Sequence, residues 1–168
     1  MQTIIRQELP SDVVAIRAAT EAAFLNAPHT DHTEQFVVGA LREAGALSIS
    51  LVAVRAGVVI GHVAVSPVTI SGGVSGWYGL GPISVIPDLQ GQGIGALLMR
   101  AALTQLQDMG ASGCVLLGDP AYYSRFGFKA ESSLVLPNVP PEYFQALSFG
   151  QPLPSGVVKY HAAFSAQG

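Results

Sequence analysis

Charge is scarce in this chain of 168 residues. Only 11% are Asp, Glu, Lys or Arg, and eight basic against eleven acidic side chains leave a net charge of −3. That balance excludes nucleic acid as a main partner, because a phosphate backbone has to be met by a basic face. Cysteine is rarer still: a single residue excludes an internal disulfide framework and a thiolate metal site, so no metal is expected. Cys114, inside the apolar run 113–117, reads as a buried structural thiol rather than a nucleophile. No apolar run approaches the length that spans a bilayer, so no membrane partner is expected. The first six residues have neither the basic start nor the apolar core of a signal peptide, which points to a cytoplasmic, soluble protein. Apolar residues make up 49% of the chain. A surface so poor in charge leaves room for a subunit interface, and a homodimer is compatible with it.

What is present organises into one domain over residues 1–168, long enough to bury a sizeable core. Thr3 to Leu9 alternates as a strand. Pro10-Ser11-Asp12 opens a helix with apolar face Val13, Ile16, Thr20, Ala23 and Phe24. Asp31 and Glu34 have the spacing of a capping box for a second helix, which turns Phe36, Val37, Ala40, Leu41 and Ala44 inward and stops at Gly45. Strands are predicted over 48–54, 58–70 and 77–86, forming a meander with a tight turn at Arg55-Ala56-Gly57. A long helix follows with Ile94, Leu98, Ala102, Leu106 and Met109 as its stripe, widened by Leu97 and Ala101. A short buried strand at 113–117 leads to a helical turn from Asp119 to Arg125. The proline-punctuated remainder predicts a strand at 134–136, a short helix at 141–147 and a last strand at 157–164.

The most informative stretch joins the third meander strand to the long helix: Val85-Ile86-Pro87-Asp88-Leu89-Gln90-Gly91-Gln92-Gly93-Ile94-Gly95-Ala96. Three glycines at alternate positions leave the N–H groups of residues 91 to 96 unshielded. These groups also belong to the first turn of a helix, where they lack intrahelical partners and the dipole is positive. Such a turn receives a phosphate or pyrophosphate. Each charge-assisted bond to a phosphate oxygen is worth about 1.5–3 kcal/mol, so three or four anchor a cofactor without a lysine. The bland alternative is a glycine-rich turn that lets the helix pack closely on the strand.

Gln90-Gly91-Gln92-Gly93-Ile94-Gly95 resembles the Gln/Arg-x-x-Gly-x-Gly/Ala signature of the GCN5-related N-acetyltransferases (GNAT). Tyr123-Ser124-Arg125-Phe126-Gly127-Phe128 is similar to that family's second hallmark, a tyrosine followed by a Gly-Phe pair. Segments 29–34, 118–123 and 140–144 resemble a branch of bacterial predicted acetyltransferases, the YhbS type. The resemblance covers essentially the whole chain. It implies an α/β (α+β) fold of three layers: a mixed, mostly antiparallel twisted sheet with helices on both faces, splayed between its fourth and fifth strands. It also implies acetyl-CoA as co-substrate and direct attack by an amine, from a small molecule or a protein, in a ternary complex. On that pattern the main chain of Ile83 and Val85 meets the pantetheine and acetyl groups, residues Gln90, Gly91, Gln92, Gly93, Ile94, Gly95 and Ala96 take the pyrophosphate, and Tyr123 is the general acid for the departing thiolate. Gly79, Gly81 and Pro82 fit a break in strand pairing. Arg100 and Arg125 are candidates for the adenosine 3′-phosphate, each weighed against an ordinary solvated arginine.

No base is assigned. The third meander strand carries no acid, and His62, Asp119, His29, His32 and Glu34 each have a structural explanation as good as a chemical one. The family's usual asparagine upstream of the tyrosine is missing. Two rival readings stay open: a catalytically silent acyl-CoA-binding module, and an NAD(P)-dependent oxidoreductase, because Gly91-x-Gly93-x-x-Ala96 formally fits a dinucleotide fingerprint and Asp119 follows the next buried strand. Against the second, four residues separate strand from first glycine, and the elements do not alternate as a doubly wound sheet requires. Trp77 and Tyr78 hint at an apolar pocket or a subunit interface, and the proline-rich stretch 137–154 at a cover for the acceptor site or the sheet. The acceptor itself is not legible.

Overall fold

The computed structural model describes residues 2–28 and 30–168. Strand β1 (Thr3–Gln7) runs into a 3-10 turn at Pro10–Asp12 and helix α1 (Val13–Phe24). Asp12 reaches back to accept from the Leu9 N–H at 2.7 Å and from the Arg6 guanidinium at 2.7 Å, tying the helix entry to β1. Helix α2 (Glu34–Glu43) follows. The expected capping box does not form: the helix begins at Glu34 itself, and Thr33, its N-cap, makes no side-chain cap bond. Val38, rather than Phe36 or Ala44, is buried beside Val37 and Leu41.

The meander is β2 (Ile49–Arg55), β3 (Val58–Pro67) and β5 (Trp77–Val85), paired antiparallel through consecutive neighbours. The single strand expected over 58–70 is two: it breaks after Pro67, and β4 (Thr69–Ile70) leaves for another sheet. A proline cannot donate to a ladder, and here it marks the point of departure. Helix α3 (Ile94–Asp108) crosses over to β6 (Gly113–Leu117), which lies parallel to β5. Its buried stripe is Ile94, Leu98, Met99, Ala102 and Leu106, whereas Leu97 and Met109 are about half exposed, so Met99 takes the place that those two were expected to hold.

A short helix α4 (Pro120–Tyr123) and a 3-10 turn (Ser124–Phe126) come next, then β7 (Leu134–Val135). The helix expected over 141–147 is instead a 3-10 turn at Pro141–Tyr143 and strand β8 (Phe144–Ser148), antiparallel to β6. Phe144, Gln145 and Ala146 are all buried there, because this strand closes the sheet and is covered on both faces. The last expected strand is likewise shortened to β9 (Gly156–Lys159), followed by a 3-10 turn at Ala162–Ser165.

Six strands form the main sheet in the order β1-β2-β3-β5-β6-β8, and β4-β9-β7 form a small second sheet. One face of the main sheet carries α3 against Leu51, Val63, Val65, Leu80, Cys114 and others. On the opposite face Ile16 of α1 and Val38 of α2 pack with Val52 and Ala64. Trp77 is buried with Val115, Phe144 and Val158 in a second core beneath the small sheet, so it lines neither a pocket nor an exposed interface. The three-layer mixed sheet expected from the sequence is therefore the fold observed.

A polar chain runs under α1 and α2. The Arg42 guanidinium pairs with Glu8 at 2.7 Å, the Ser50 hydroxyl donates to Glu8, and His62 Nε2 lies 2.7 Å from the Ser50 oxygen. A hydroxyl that has given its proton to a carboxylate must accept from its other neighbour, which assigns the proton of His62 to Nε2 and leaves Nδ1 buried without a partner among the described residues. Burial opposes charging of His62 and pushes it down to about 4; Glu8 counters this weakly and Arg42 adds to it. A histidine depressed from 6.5 binds fewer protons folded than unfolded, so its contribution is fully present above about pH 6.5 and is lost as pH falls toward 4. Wild-type stability should fall on acidification across that window, by about 1.4 kcal/mol per pH unit where only the unfolded chain is protonated. In His62→Gln, which keeps a donor for Ser50, denaturant melts at stepped pH should show that slope flattened; an unchanged slope would refute the assignment.

Candidate active site

Strand β5 is where the main sheet opens. Its pairing with β6 covers only Trp77, Tyr78 and Gly79, and the two strands then diverge: the splay falls between the fourth and fifth strands of the sheet. Opposite β3 the register jumps, with Val63 facing Ile83 but Val65 facing Leu80, so β5 holds one extra residue at Gly81-Pro82. A bulge reverses side-chain alternation. Tyr78 and Leu80 pack on the α3 side before it, Ile83 and Val85 after it.

The bulge and the splay together expose backbone. The Ile86 N–H donates to the Ile60 carbonyl at 2.9 Å, which places residue 86, and by alternation 84, in hydrogen-bonded register with β3. Ile83 and Val85 therefore turn their main-chain groups the other way, into the gap left by β6. The Gln90 side-chain amide donates to the Val85 carbonyl at 2.9 Å, on the side that this geometry requires. Ile83 N–H and C=O and Val85 N–H remain as a short edge without a partner among the described residues.

Beyond Val85 a 3-10 turn (Pro87–Leu89) carries the chain into the glycine loop. Gly91 and Gly93 take left-handed φ angles of 78° and 84°, and Gly93 is the N-cap of α3. Gln90 N–H is bonded to the Pro87 carbonyl and Leu97 N–H to the Gly93 carbonyl. Between them, the N–H groups of residues 91 to 96 have no partner among the described residues. Gln90 differs from the rest of the predicted stretch: its N–H and its side chain are both engaged, so it braces the loop against the end of β5. A recess of about 250 Å³ lies over the loop, lined by Val85, Gly91, Gly93, Ala96, Tyr122 and Arg125. Arg125 is held there, its Nε donating to the Tyr122 carbonyl at 2.9 Å and its guanidinium 4.4 Å from the Tyr122 ring centre. Arg100 lies 5.0 Å over the Phe126 ring.

On the other side of the β5 edge is a cavity of about 530 Å³. Gly81, Pro82 and Ile83 form one wall, Tyr123 and Leu117 another, and Phe24, Asp31 and Glu34 a third; Leu136, Pro137 and Val139 of the proline-rich stretch also line it. The neighbouring tyrosines of α4 thus face different spaces, Tyr122 the recess over the glycines and Tyr123 the cavity. Tyr123 is packed edge-on against Tyr122 at 4.9 Å and Phe128 at 6.5 Å. Its ring also lies against the α-carbon of Gly118, where an added Cβ would come within 2.2 Å of Cε2. The Gly118-Asp119-Pro120 segment, in the place of the family's asparagine, therefore makes room for the tyrosine. Burial, then the neighbouring Tyr122 and Asp119, push the Tyr123 phenol up to about 12, so it stays a hydrogen-bond donor throughout the neutral range.

The candidate bases are distributed unevenly. His62 lies in the polar chain under α1 and α2, away from this cavity. Asp119 is the N-cap of α4 and accepts from the Ala121 N–H at 2.9 Å. His32 is exposed, and His29 lies outside the described residues. Glu34 lines the cavity, and so does Asp31, which sequence reasoning had placed only in a cap. Cys114 is fully buried, with burial pushing its thiol up, and takes no part. Among the described residues no helix is long and apolar enough to cross a membrane, and no three metal-binding side chains converge.

Comparison with known proteins agrees with this geometry. Residues 46–130 match the model of the acetyltransferase (GNAT) domain. The Escherichia coli K12 protein called uncharacterized N-acetyltransferase YhbS is 40% identical over 127 residues, which span 75% of this chain and 73% of that protein. The crystal structure of a GNAT family acetyltransferase from Brucella melitensis in complex with acetyl-CoA superposes with a TM-score of 0.88 at 52% identity, over 98% of this chain and 99% of that one. The crystal structure of Escherichia coli YhbS in complex with CoA also gives 0.88, at 35% identity over 100% and 94%. The chain belongs to the GNAT family of acetyltransferases.

Proposed function

We propose that the protein transfers the acetyl group of acetyl-CoA to an amine by direct attack within a ternary complex. The observation that carries this reading is the succession of open donors: N–H groups of Ile83 and Val85 turned into the gap beside β5 and, past the turn at 86–90, N–H groups from 91 to 96, without a partner among the described residues. An extended amide-bearing arm ending in a pyrophosphate is the ligand such a succession fits, with the N–H groups at the start of α3 taking the phosphates. Acetyl-CoA supplies a thioester, already reactive enough to need only polarisation of its carbonyl. A backbone N–H on the β5 edge serves that purpose without reorganisation. Tyr123, protonated and facing the cavity, hydrogen-bonds the sulfur as negative charge develops on it. The two crystallised relatives hold acetyl-CoA and CoA, in line with this reading. The sheet is mostly antiparallel, and five residues part β5 from Gly91, so the dinucleotide reading has no support in the fold.

Thermal denaturation with acetyl-CoA, CoA, NAD and NADP at saturation tests the donor site. Both CoA species should stabilise the fold and the nicotinamide nucleotides should not. Gly93→Val puts a β-branched side chain at a φ of 84° and into the phosphate recess. It should weaken acetyl-CoA binding about a hundredfold while the circular-dichroism spectrum stays native. Retained affinity would refute the pyrophosphate assignment.

The tyrosine is tested by kinetics of CoA release. Tyr123→Phe should lower kcat by about ten- to a hundredfold with KM for acetyl-CoA within about twofold. Gly118→Ala, whose Cβ collides with the Tyr123 ring, should reproduce that loss, and the double variant should be no worse than either alone. Additive losses would mean that Gly118 acts on something other than Tyr123.

A further inference from the structure

The acceptor cavity carries a charge asymmetry that the acetyl-transfer reading does not use. Its described lining has two carboxylates, Asp31 and Glu34, and no Lys, Arg or His. Glu34 is not occupied with capping its helix: it is the first residue of α2, and the turn of chain before it offers its carboxylate only the Thr30 hydroxyl, which donates to Oε2. Oε1 is shut off from solvent and has no hydrogen-bond partner among the described residues. A buried acceptor left without a donor is costly, more so when it belongs to an ionised group. Ordered water, an ion or a ligand donor meets such an atom, and at a carboxylate the strongest of these partners is a cation. The helix N-terminus keeps a carboxylate favourable at this position before any ligand arrives.

We propose that Glu34 anchors the acceptor amine, and that the acceptor is a small primary amine with one cationic end and an apolar, preferably aromatic, body. This rests on the acetyl-transfer reading for its chemistry, although not for its binding. The body is specified by the other walls: Phe24, Val37, Leu136, Val139 and Phe164 are apolar, and both carboxylates of the described lining come from the one segment 31–34, so the far end of a polyamine meets no acidic group there. A volume of about 530 Å³, bounded by segments 136–139 and 160–164, is that of a small-molecule site. The Glu34 side chain needs only to turn about its terminal bonds to present Oε1 to the cavity, since the Thr30 hydroxyl is its one hydrogen-bonded anchor among the described residues.

The transfer step then balances. The bound ammonium first passes one proton through Glu34 Oε1 to water, which frees the nitrogen lone pair; that pair forms the N–C bond to the acetyl carbonyl carbon, and the C–S bond breaks with its electron pair leaving on the CoA sulfur, hydrogen-bonded by Tyr123. The nitrogen turns cationic as it bonds, and its surplus proton passes to Glu34 Oε1 and from there to water. Glu34 touches the reacting nitrogen and so is a catalytic residue as well as an anchor.

The test begins with binding, without acetyl-CoA. Phenethylamine and its neutral counterpart phenethyl alcohol are titrated against the wild-type protein, Glu34→Gln and Glu34→Asp, followed by amide NMR shifts, with and without CoA. The amine should bind the wild type about tenfold or more tightly than the alcohol; Glu34→Gln should bring the two together, and Glu34→Asp should restore part of the difference. Equal binding of amine and alcohol by the wild type, or a difference untouched by Glu34→Gln, would overturn the proposal. Turnover is measured next, as CoA release with phenethylamine, spermidine and α-acetyl-lysine amide. Phenethylamine should lead by about tenfold in kcat/KM, and Glu34→Gln should lose about thirtyfold or more of that, with KM for acetyl-CoA unchanged. Preference for spermidine or the lysine derivative would overturn the substrate class. If the amine binds through Glu34 but no CoA is ever released, the acetyl-transfer reading fails and the amine site survives. If CoA is released and Glu34→Gln is indifferent, transfer stands and the anchor falls.

Discussion

A strand in the interior of a sheet has to satisfy its backbone on both sides, and β5 does so on only one. Its β3 side is bonded along its length, whereas its β6 side is covered for three residues and then abandoned. Unpaired backbone groups in a sheet interior are unfavourable unless something else meets them. Much of the surrounding construction follows from keeping that gap open. The extra residue at Gly81-Pro82 re-aims Ile83 and Val85, Gln90 takes up the Val85 carbonyl, and the chain turns at once into a helix whose first N–H groups are also left over. The two sets of unsatisfied groups lie at the two ends of one short connection, the turn at 86–90, whose own N–H groups at 86, 89 and 90 are bonded.

The aromatic cluster keeps β6 and its sequel away from the gap. Phe126 and Phe128 are buried against α3, and Tyr122 and Tyr123 sit above them at right angles to each other. Because α4 is anchored by Asp119 at one end and by these rings at the other, its two tyrosines are fixed on opposite sides of the same short helix. The result is a partition: one recess over the glycines and one cavity beside the bulge, with the β5 edge and α4 each contributing to both.

How far this could be read from the sequence depended on the range of the contacts involved. The glycine loop, the meander and the Tyr123 segment announce themselves because their signals are local: alternate glycines before a 3.6-residue stripe, alternating strands about a tight turn, a tyrosine ahead of Gly127-Phe128. The residues misjudged are those whose state is decided from far away. Pro140-Pro141-Glu142 is a sound helix opening, yet 144–148 is a strand because β6, thirty residues earlier, offers it an edge. Thr69 and Ile70 continue an apolar run but pair with Lys159 and Val158. Trp77, suggestive of an exposed surface, is buried by a second sheet whose strands arrive from the last third of the chain. Glu34 stood between a cap and a place in the acceptor region, and the assembled structure shows that it lines the cavity without capping α2.

The same distinction separates the glycine loop from the cavity. The loop is one contiguous segment, residues 90–96, whose geometry follows local turn chemistry. The cavity is built from the end of α1, the start of α2, the bulge, α4, the 136–139 segment and the C-terminal turn, six pieces brought together by tertiary packing. A substitution in the first would have to preserve backbone angles and open N–H groups, and few residues besides glycine can. Substitutions in the second change the shape and charge of a wall while leaving the sheet, the splay and the glycine loop intact. The walls of the cavity can therefore vary independently of the glycine loop, and in this chain its described lining is mostly apolar with two carboxylates, Asp31 and Glu34.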